Sequence, residues 1–257
     1  MFPLRDHLPT KRTPVVTYAL VAVNVLAYLW ESAAIASGQK WLLFDLGFVP
    51  ARFLESPSAE LSTVFSSMFL HAPETWWHLA GNMLFLWIFG DNVEDALGRA
   101  RFTVFYLLCG FGAALVQLLA DPTSRVPMVG ASGAIAGVLA AYGSLHPTAP
   151  VTVLNPVPPL WLIFGPLFRL PAWLVILEFF LVNLVSGVSA SGSTRGGVAF
   201  FAHLGGFMAG MLLVRLLFDP QAARRQATAE AWQPPARMAD EPAAPVPRSR
   251  FRGSPRW

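Results

Sequence analysis

The sequence predicts an all-α polytopic membrane protein, a bundle of six transmembrane helices, and three observations support this fold class. Of the 257 residues, 54% are hydrophobic and only 13% are charged, whereas a soluble domain carries roughly 25% charged residues. The mean hydropathy of +0.51 excludes an ordinary cytosolic protein, and a chain this apolar does not remain disordered in water. Six separate stretches approach the length of about 20 apolar residues that crosses a bilayer.

These six stretches are the predicted spans. They cover residues 14–30, 76–90 (up to 97 in the longest form), 102–120, 131–145, 171–187 and 197–218. The first is expected to be retained as a helix rather than cleaved as a signal peptide, because no small-residue cleavage site follows it. Segment 151–170 is also apolar, but four prolines interrupt it. It is predicted to be an interfacial connector, with a seventh span as the alternative.

The spans divide the chain into three predicted zones. Residues 1–13 form a cytoplasmic N-terminal segment, 14–218 the six-helix membrane domain, and 219–257 a disordered cytoplasmic tail rich in Pro and Arg. The long segment 32–75 contains several aromatic and aliphatic residues, which is typical of sequence lying in the outer interface of the membrane.

The distribution of basic residues predicts how the bundle is oriented. With six spans and the N-terminus inside, fourteen of the eighteen Lys and Arg residues fall on the inner side. Basic residues concentrate in cytoplasmic segments of membrane proteins, so both termini are predicted to be cytoplasmic. A net charge of only +3, without a basic surface, does not favour nucleic acid as a partner.

Four polar residues lie where the bilayer makes them costly: His78, Asn82, Ser132 and His203. His78 and Asn82 are four residues apart, on one face of the second span near its outer end. Ser132 lies at the outer end of the fourth span, and His203 is six residues into the sixth, roughly 9 Å along the axis. The basic residues alone set this topology, and yet all four polar groups fall in the outer half of the membrane.

The chemistry of these residues predicts a serine nucleophile. A serine hydroxyl attacks poorly until a base removes its proton, and histidine is the usual base. Ser132 follows Gly130 where a loop becomes a helix, so unpaired backbone N–H groups favour a developing negative charge there. His78 and Asn82 can supply side-chain donors for the rest of an oxyanion hole.

Two pairs of glycines explain how the nucleophile and the base could meet. Gly133 and Gly137 form a small-xxx-small pair on the fourth span, and Gly206 and Gly210 form another on the sixth. Such pairs allow helix backbones to approach closely, although alone they indicate packing rather than catalysis. Combined with Ser132 and His203 at matched depth, they favour a site between the two helices.

Other chemistries find less support in the sequence. Cys109 is the only cysteine, so no intramolecular disulfide can form. No His, Cys, Asp or Glu cluster has the spacing of metal ligands, and HExxH is absent, so neither a metal nor another cofactor is expected. A transporter or channel would show inverted repeats and polar residues across the whole membrane, which this sequence does not.

Three ordered motifs resemble the rhomboid intramembrane serine proteases of bacterial type. They are His78-Leu-Ala-Gly-Asn82, Gly130-Ala-Ser132-Gly133 and Ala202-His203-Leu-Gly-Gly206. The segments 48–53 and 89–102 are also similar to that family. The resemblance covers roughly residues 14–218 and leaves the tail unmatched.

The resemblance implies an endopeptidase with a Ser132–His203 dyad and no catalytic aspartate. His78, Asn82 and the Ser132 backbone N–H would hold the oxyanion in a water-accessible cavity open to the outer side. Its partners would be the lipid bilayer and transmembrane protein substrates, cleaved near the membrane boundary. The expected location is a bacterial inner membrane. The alternative is a catalytically inactive relative that binds or escorts transmembrane helices.

The sequence departs from the family pattern in two places. Family members often carry an aromatic residue one turn after the serine, against which the base stacks. Here that position is Ala136, so another residue must orient His203. The Trp-Arg pair that some members have in the first outer loop is not evident.

Overall fold

A computed structural model describes residues 2–72, 76–155, 157–161, 165–189 and 198–219. The chain divides into two units, Met1–Phe218 and Asp219–Trp257, and every element below belongs to the first. The predicted disordered tail, 219–257, lies outside the described residues apart from Asp219.

The described part of the chain is mostly helical. The helices are α1 (Val15–Ala36), α2 (Leu42–Leu46), α3 (Pro50–Glu55), α4 (Pro57–Ser66), α5 (Trp76–Leu97), α6 (Arg99–Ala120), α7 (Ser132–Leu145), α8 (Ala172–Ser189) and α9 (Val198–Leu217). Helices α1 and α5–α9 coincide with the six apolar stretches to within a few residues, except that α1 runs six residues beyond Trp30.

Three of these helices are long and apolar enough to cross a membrane, namely α1, α6 and residues 200–217 of α9. Helix α7 and residues 172–185 of α8 are shorter apolar helices. The number of crossings therefore stays a prediction, although the chain has the helices that a polytopic membrane protein requires.

Helix α7 lies at the centre of the bundle. All ten residues from Gly133 to Tyr142 are buried, which explains why this short helix is apolar on every side. Its Gly and Ala residues contact α6 and α9 almost backbone to backbone. A Cβ added to Gly137, for example, would lie 2.6 Å from Cβ of Cys109 and 3.0 Å from the carbonyl oxygen of Gly206.

Buried hydrogen bonds join α1 to α5 at the end of the bundle opposite Ser132. Glu94 Oε2 accepts hydrogen bonds from the backbone N–H of Thr17 at 2.7 Å and from its hydroxyl at 2.8 Å. The backbone N–H of Val16 donates to Oε1 at 3.0 Å. Three charge-assisted bonds thus satisfy both oxygens of a carboxylate that is only 3% exposed.

The all-α prediction missed a small antiparallel sheet at this same end. It contains β1 (Phe2–Asp6), β2 (Pro150–Leu154) and β3 (Leu167–Pro171) in the order β1-β2-β3. Strands β2 and β3 form a hairpin, so the predicted connector is strand at both ends. Val151 and Val153 are buried on one face, a period-two pattern too short to distinguish from irregular sequence.

Strand β1 is fastened to the helices as well as to β2. Asp6 Oδ2 accepts hydrogen bonds from the Tyr142 hydroxyl and from Nδ2 of Asn92, both at 2.8 Å. Desolvation by burial raises the pKa of Asp6, and the bond from Tyr142 acts against that rise. The N-terminal segment, predicted only to be cytoplasmic, is therefore an integral part of the membrane domain.

The segment between α1 and α5, predicted as interfacial loop, contains the short helices α2–α4. Phe48 pairs with Met128 through two backbone hydrogen bonds of 3.1 and 2.8 Å. Arg52 and Glu60 form an ion pair of 2.8 Å that joins α3 to α4. The pairing of Phe48 with Met128 holds the segment against the loop that leads into α7.

Candidate active site

Gly130 brings two predicted site residues to one point. Its φ of +126° is a backbone conformation that residues other than glycine rarely adopt. A Cβ at this position would lie 3.1 Å from Cε1 of His78 and 3.6 Å from Oγ of Ser132. Glycine is therefore required by both conformation and space, and His78 and Ser132 face each other across it.

Ser132 is the first residue of α7. Ala131 precedes it and cannot cap the helix through its side chain, so the N–H groups of the first turn have no side-chain partner. Such N–H groups, with the positive end of the helix dipole, stabilise an oxygen that becomes negative beside them. The backbone N–H of Gly130 is tied to the Ser67 carbonyl at 2.8 Å, which fixes the loop before the serine.

Helix α9 carries His203 against this end of α7. A Cβ added to Gly206 would overlap the carbonyl oxygen of Gly133, so the two backbones are in direct contact. A Cβ on Gly133 would lie 3.7 Å from the carbonyl oxygen of Ala202, the neighbour of His203. The second glycine of each pair repeats the contact one turn on, where a Cβ on Gly210 would lie 2.6 Å from Cα of Gly137.

The imidazole of His203 is 6% exposed, and neither ring nitrogen has a hydrogen-bond partner among the described residues. The hydrogen bond expected from the Ser132 hydroxyl is therefore not formed in this structure. In unliganded active sites such bonds are often long and close only when substrate binds. The ring of His203 packs against Phe179 of α8, with centroids 5.7 Å apart. Phe179 thus provides the aromatic contact that Ala136 cannot.

Asn82 lies deeper on α5 than His78 and bonds a histidine that precedes the helix. Its Nδ2 donates to Nε2 of His71 at 3.0 Å. The rings of His71 and His78 meet edge to face, with centroids 5.4 Å apart. Burial, reinforced by the proximity of His78, lowers the pKa of His71 to about 4, so its ring is neutral near pH 7.

Sequence reasoning missed Glu31, which holds His71 in place. Its carboxylate, fully buried on α1, accepts the backbone N–H of His71 with both oxygens, at 2.9 and 3.1 Å. The predicted first span ends at Trp30, one residue before Glu31, so Glu31 was not considered among the polar residues of the spans. In the structure the helix continues to Ala36 and contains Glu31. An acidic residue within a membrane helix is a candidate functional residue, so a longer predicted span would have identified it.

No set of three or more His, Cys, Asp and Glu side chains is placed to hold a metal ion in the part of the chain that the structure describes. A Rhomboid domain model matches residues 58–220, more than half of the sequence and all four residues predicted for the site. The chain belongs to the rhomboid family. Rhomboids are generally intramembrane serine proteases, and the site described above contains the residue types that such chemistry uses.

Curated rhomboid relatives from fungi, plants and animals share 28–33% of the aligned residues. Rhomboid protein 1, mitochondrial, of Saccharomyces cerevisiae is 28% identical over 226 residues, covering 84% of this chain and 58% of the relative. Rhomboid-like protein 11, chloroplastic, of Arabidopsis thaliana is 33% identical over 161 residues, which is 59% of this chain and 51% of the relative.

The human Presenilin-associated rhomboid-like protein, mitochondrial, is 28% identical over 220 residues, covering 83% of this chain and 51% of the relative. The chain thus spans about half the length of the curated relatives it matches. Their names place them in mitochondria or chloroplasts. These comparisons support an integral membrane protein but give no support to a bacterial inner membrane or to the bacterial type within the family.

Proposed function

We propose that this rhomboid is an intramembrane serine endopeptidase in which Ser132 is the nucleophile and His203 the base. The observation that carries the proposal is the state of His203. Its imidazole is buried, both ring nitrogens lack a partner, and its helix touches α7 at the residue after Ser132. Buried polar atoms are nearly always hydrogen-bonded, so an unpaired imidazole calls for a functional explanation.

The reaction uses the chain's own groups and water. Ser132 Oγ attacks the scissile carbonyl carbon while His203 takes the hydroxyl proton. His203 then returns that proton to the leaving amine, and the peptide C–N bond breaks to leave an acyl ester on Ser132. A water molecule, deprotonated by His203, hydrolyses the ester and restores the hydroxyl.

The oxyanion that forms during attack is held by three groups. The first is the backbone N–H of Ser132 at the start of α7, and the second is the exposed side chain of His78. The third is Asn82, because an amide nitrogen carries two hydrogens and His71 engages only one of them. Each well-placed donor in such a hole is worth about 3 kcal/mol of barrier height.

The proposed substrates are transmembrane segments cut near the outer membrane boundary. Ser132, His78 and His203 lie toward one end of the bundle, and the basic residues assign that end to the outer side. A peptide bond within a helix is protected by its own hydrogen bonds, so segments that unwind easily are favoured. Six membrane crossings, both termini inside and the domain limits 14–218 and 219–257 belong to the same proposal.

A second candidate function is that of an inactive rhomboid that binds or escorts transmembrane helices. The missing hydrogen bond between Ser132 and His203 favours it. A fluorophosphonate probe, which reacts only with an activated serine, distinguishes the two. We expect labelling of the wild-type protein and none of Ser132→Ala or His203→Ala.

Cleavage of a single-pass substrate reconstituted with the protein in liposomes provides the second readout. Ser144→Ala is the matched control, because Ser144 lies on the same helix and its hydroxyl bonds only the Ala140 carbonyl, at 2.7 Å. Wild-type rates in Ser132→Ala would refute the peptidase mechanism. Helix binding without cleavage by the wild-type protein would establish the escort function instead.

A further inference from the structure

An apolar groove of about 460 Å³ lies between α7, α8 and α9, in the half of the bundle away from Ser132. Its walls include Gly143 and Ser144 of α7, Trp173 and Leu177 of α8, and Phe207 and Met211 of α9. None of these residues belongs to the proposed catalytic site. The volume is within the range of ordinary ligand pockets.

The groove is lined mainly by apolar side chains, with the Ser144 hydroxyl and the indole N–H of Trp173 as its polar side-chain groups. The hydroxyl of Ser144 is satisfied within α7 by the carbonyl of Ala140. Trp173, Leu177 and Met211 are between 36% and 50% exposed, so large apolar side chains remain uncovered. An apolar occupant is therefore required.

The length of the groove identifies the kind of apolar occupant. From Trp173 to Phe180 along α8 is about 10 Å, whereas one leaflet of the hydrocarbon core is roughly 15 Å thick. A transmembrane helix of a partner protein would need a surface about twice that long, extending past the bundle centre. A groove confined to one leaflet fits a single acyl chain.

An exposed arginine lies beyond the end of the groove, where the headgroup of a bound lipid would be. Arg215 is exposed and lies one turn beyond Met211 on the same face of α9. Nearby, Arg101 donates to the carbonyl of Leu217, the last residue of α9, at 3.4 Å. A guanidinium matches a phosphate with two parallel hydrogen bonds, and anionic lipids attract such groups at the cytoplasmic surface.

The geometry points to a binding site for an anionic phospholipid, with one acyl chain in the groove and the phosphate on Arg215. The site does not depend on the proposed peptidase activity. It would be occupied in any state of Ser132 and His203.

The test compares phosphatidylglycerol with phosphatidylcholine of identical acyl chains, added to the full-length protein in detergent. Lipid retained on the protein is measured by native mass spectrometry. Arg215→Gln should reduce phosphatidylglycerol retention about fivefold, the factor that corresponds to one basic side chain at a membrane surface. Met211→Trp, which fills the groove, should reduce retention of both lipids at least as much.

Two matched variants serve as controls. Met208→Trp adds the same bulk on α9 at a residue that is 58% exposed and outside the groove, and Arg12→Gln removes an exposed charge at the same end of the bundle. Both should retain phosphatidylglycerol like the wild type.

Equal retention of the two lipids by the wild type would overturn the proposal. So would reductions in the control variants equal to those in Arg215→Gln and Met211→Trp. Loss of a dimer rather than of lipid in Met211→Trp would assign the groove to a second copy of the chain and overturn it as well.

Discussion

Nδ2 of Asn82 on α5 donates a hydrogen bond to Nε2 of His71, which lies in the loop before that helix, at 3.0 Å. His71 is in turn fixed through its backbone by Glu31 of α1. A donor proposed for the oxyanion hole is therefore oriented by a chain of contacts that begins on a different helix. This arrangement makes His71 a positioning residue for the proposed reaction.

Replacing His71 by Ala should lower kcat for substrate cleavage about tenfold while leaving KM nearly unchanged, because Asn82 loses its orientation in the transition state. The measurement is steady-state cleavage in liposomes. In a double-mutant cycle with Asn82→Ala, the second substitution should add little to the first. Fully additive effects would show that the two residues act separately.

Replacing Glu31 by Gln should destabilise the fold by about 1–3 kcal/mol, since both buried oxygens accept the His71 N–H and one of them becomes an N–H group facing that donor. Thermal denaturation in detergent measures the change. Glu55→Gln is the control, because its carboxylate is exposed and pairs only with Arg125, at 3.3 Å. An equal loss in both variants would contradict the role assigned to Glu31.

Thr17→Val should cost about 1.5–3 kcal/mol, the usual value of a hydrogen bond to a charged group, because the buried carboxylate of Glu94 loses a hydroxyl donor. Equilibrium unfolding should show this loss while fluorophosphonate labelling of the remaining folded protein stays unchanged. The matched control is Thr103→Val, whose exposed hydroxyl bonds only its own helix at Arg99. If Thr103→Val is as destabilising, the contact between α1 and α5 is not the cause.

Gly206→Ala should abolish cleavage and lower thermal stability, since the added methyl group overlaps the backbone of Gly133 and forces α9 away from α7. Gly81→Ala is the informative comparison. A Cβ on Gly81 meets no atom within 4 Å, so its substitution should leave both quantities nearly unchanged. Retained activity in Gly206→Ala would mean that close approach of the two helices is not required.

His71 should contribute a loss of stability as the pH falls from 6.5 to about 4, measured as the difference between the wild type and His71→Gln. The folded state keeps this ring neutral, with a pKa of about 4, whereas the unfolded chain protonates it near 6.5. At this ring the unfolded state therefore binds more protons in this window, so the stability that His71 contributes falls by up to about 3 kcal/mol as the pH is lowered and then levels off. His71→Gln, which keeps an acceptor for Asn82, should lack this part of the pH dependence. An unchanged profile in that variant would assign the effect elsewhere.

The helices could be predicted because membrane spans depend on long stretches of composition. Ser132 and His203 stood out for a related reason, since polar residues are rare in apolar segments and their depth follows from the topology. The close approach of the two helices at Gly133 and Gly206 could likewise be predicted from the four-residue spacing of the glycine pairs. That these residues form the working site of a peptidase stays a prediction until the variants above are measured.

The remaining features depend on contacts between distant segments that no local pattern records. Strand β1 is five residues long and pairs with a strand nearly 150 residues away, so neither strand shows a reliable periodicity. Phe179 could not be assigned to His203 because α8 carries two adjacent phenylalanines, Phe179 and Phe180, and no local pattern shows which of them contacts His203. Glu31 was missed because the predicted first span ends at Trp30, whereas α1 continues to Ala36.

The pairing of Pro3 with Val153 also sets an order of events at the ribosome. At 5–20 residues per second, roughly 7–30 s separate the synthesis of these two residues. The first strand must stay unpaired while α1 to α7 are synthesised, and it closes the sheet only when the hairpin emerges. The sheet of this rhomboid therefore joins segments that are made at different times, and a bulky tag fused close to Phe2 would interfere with its closure.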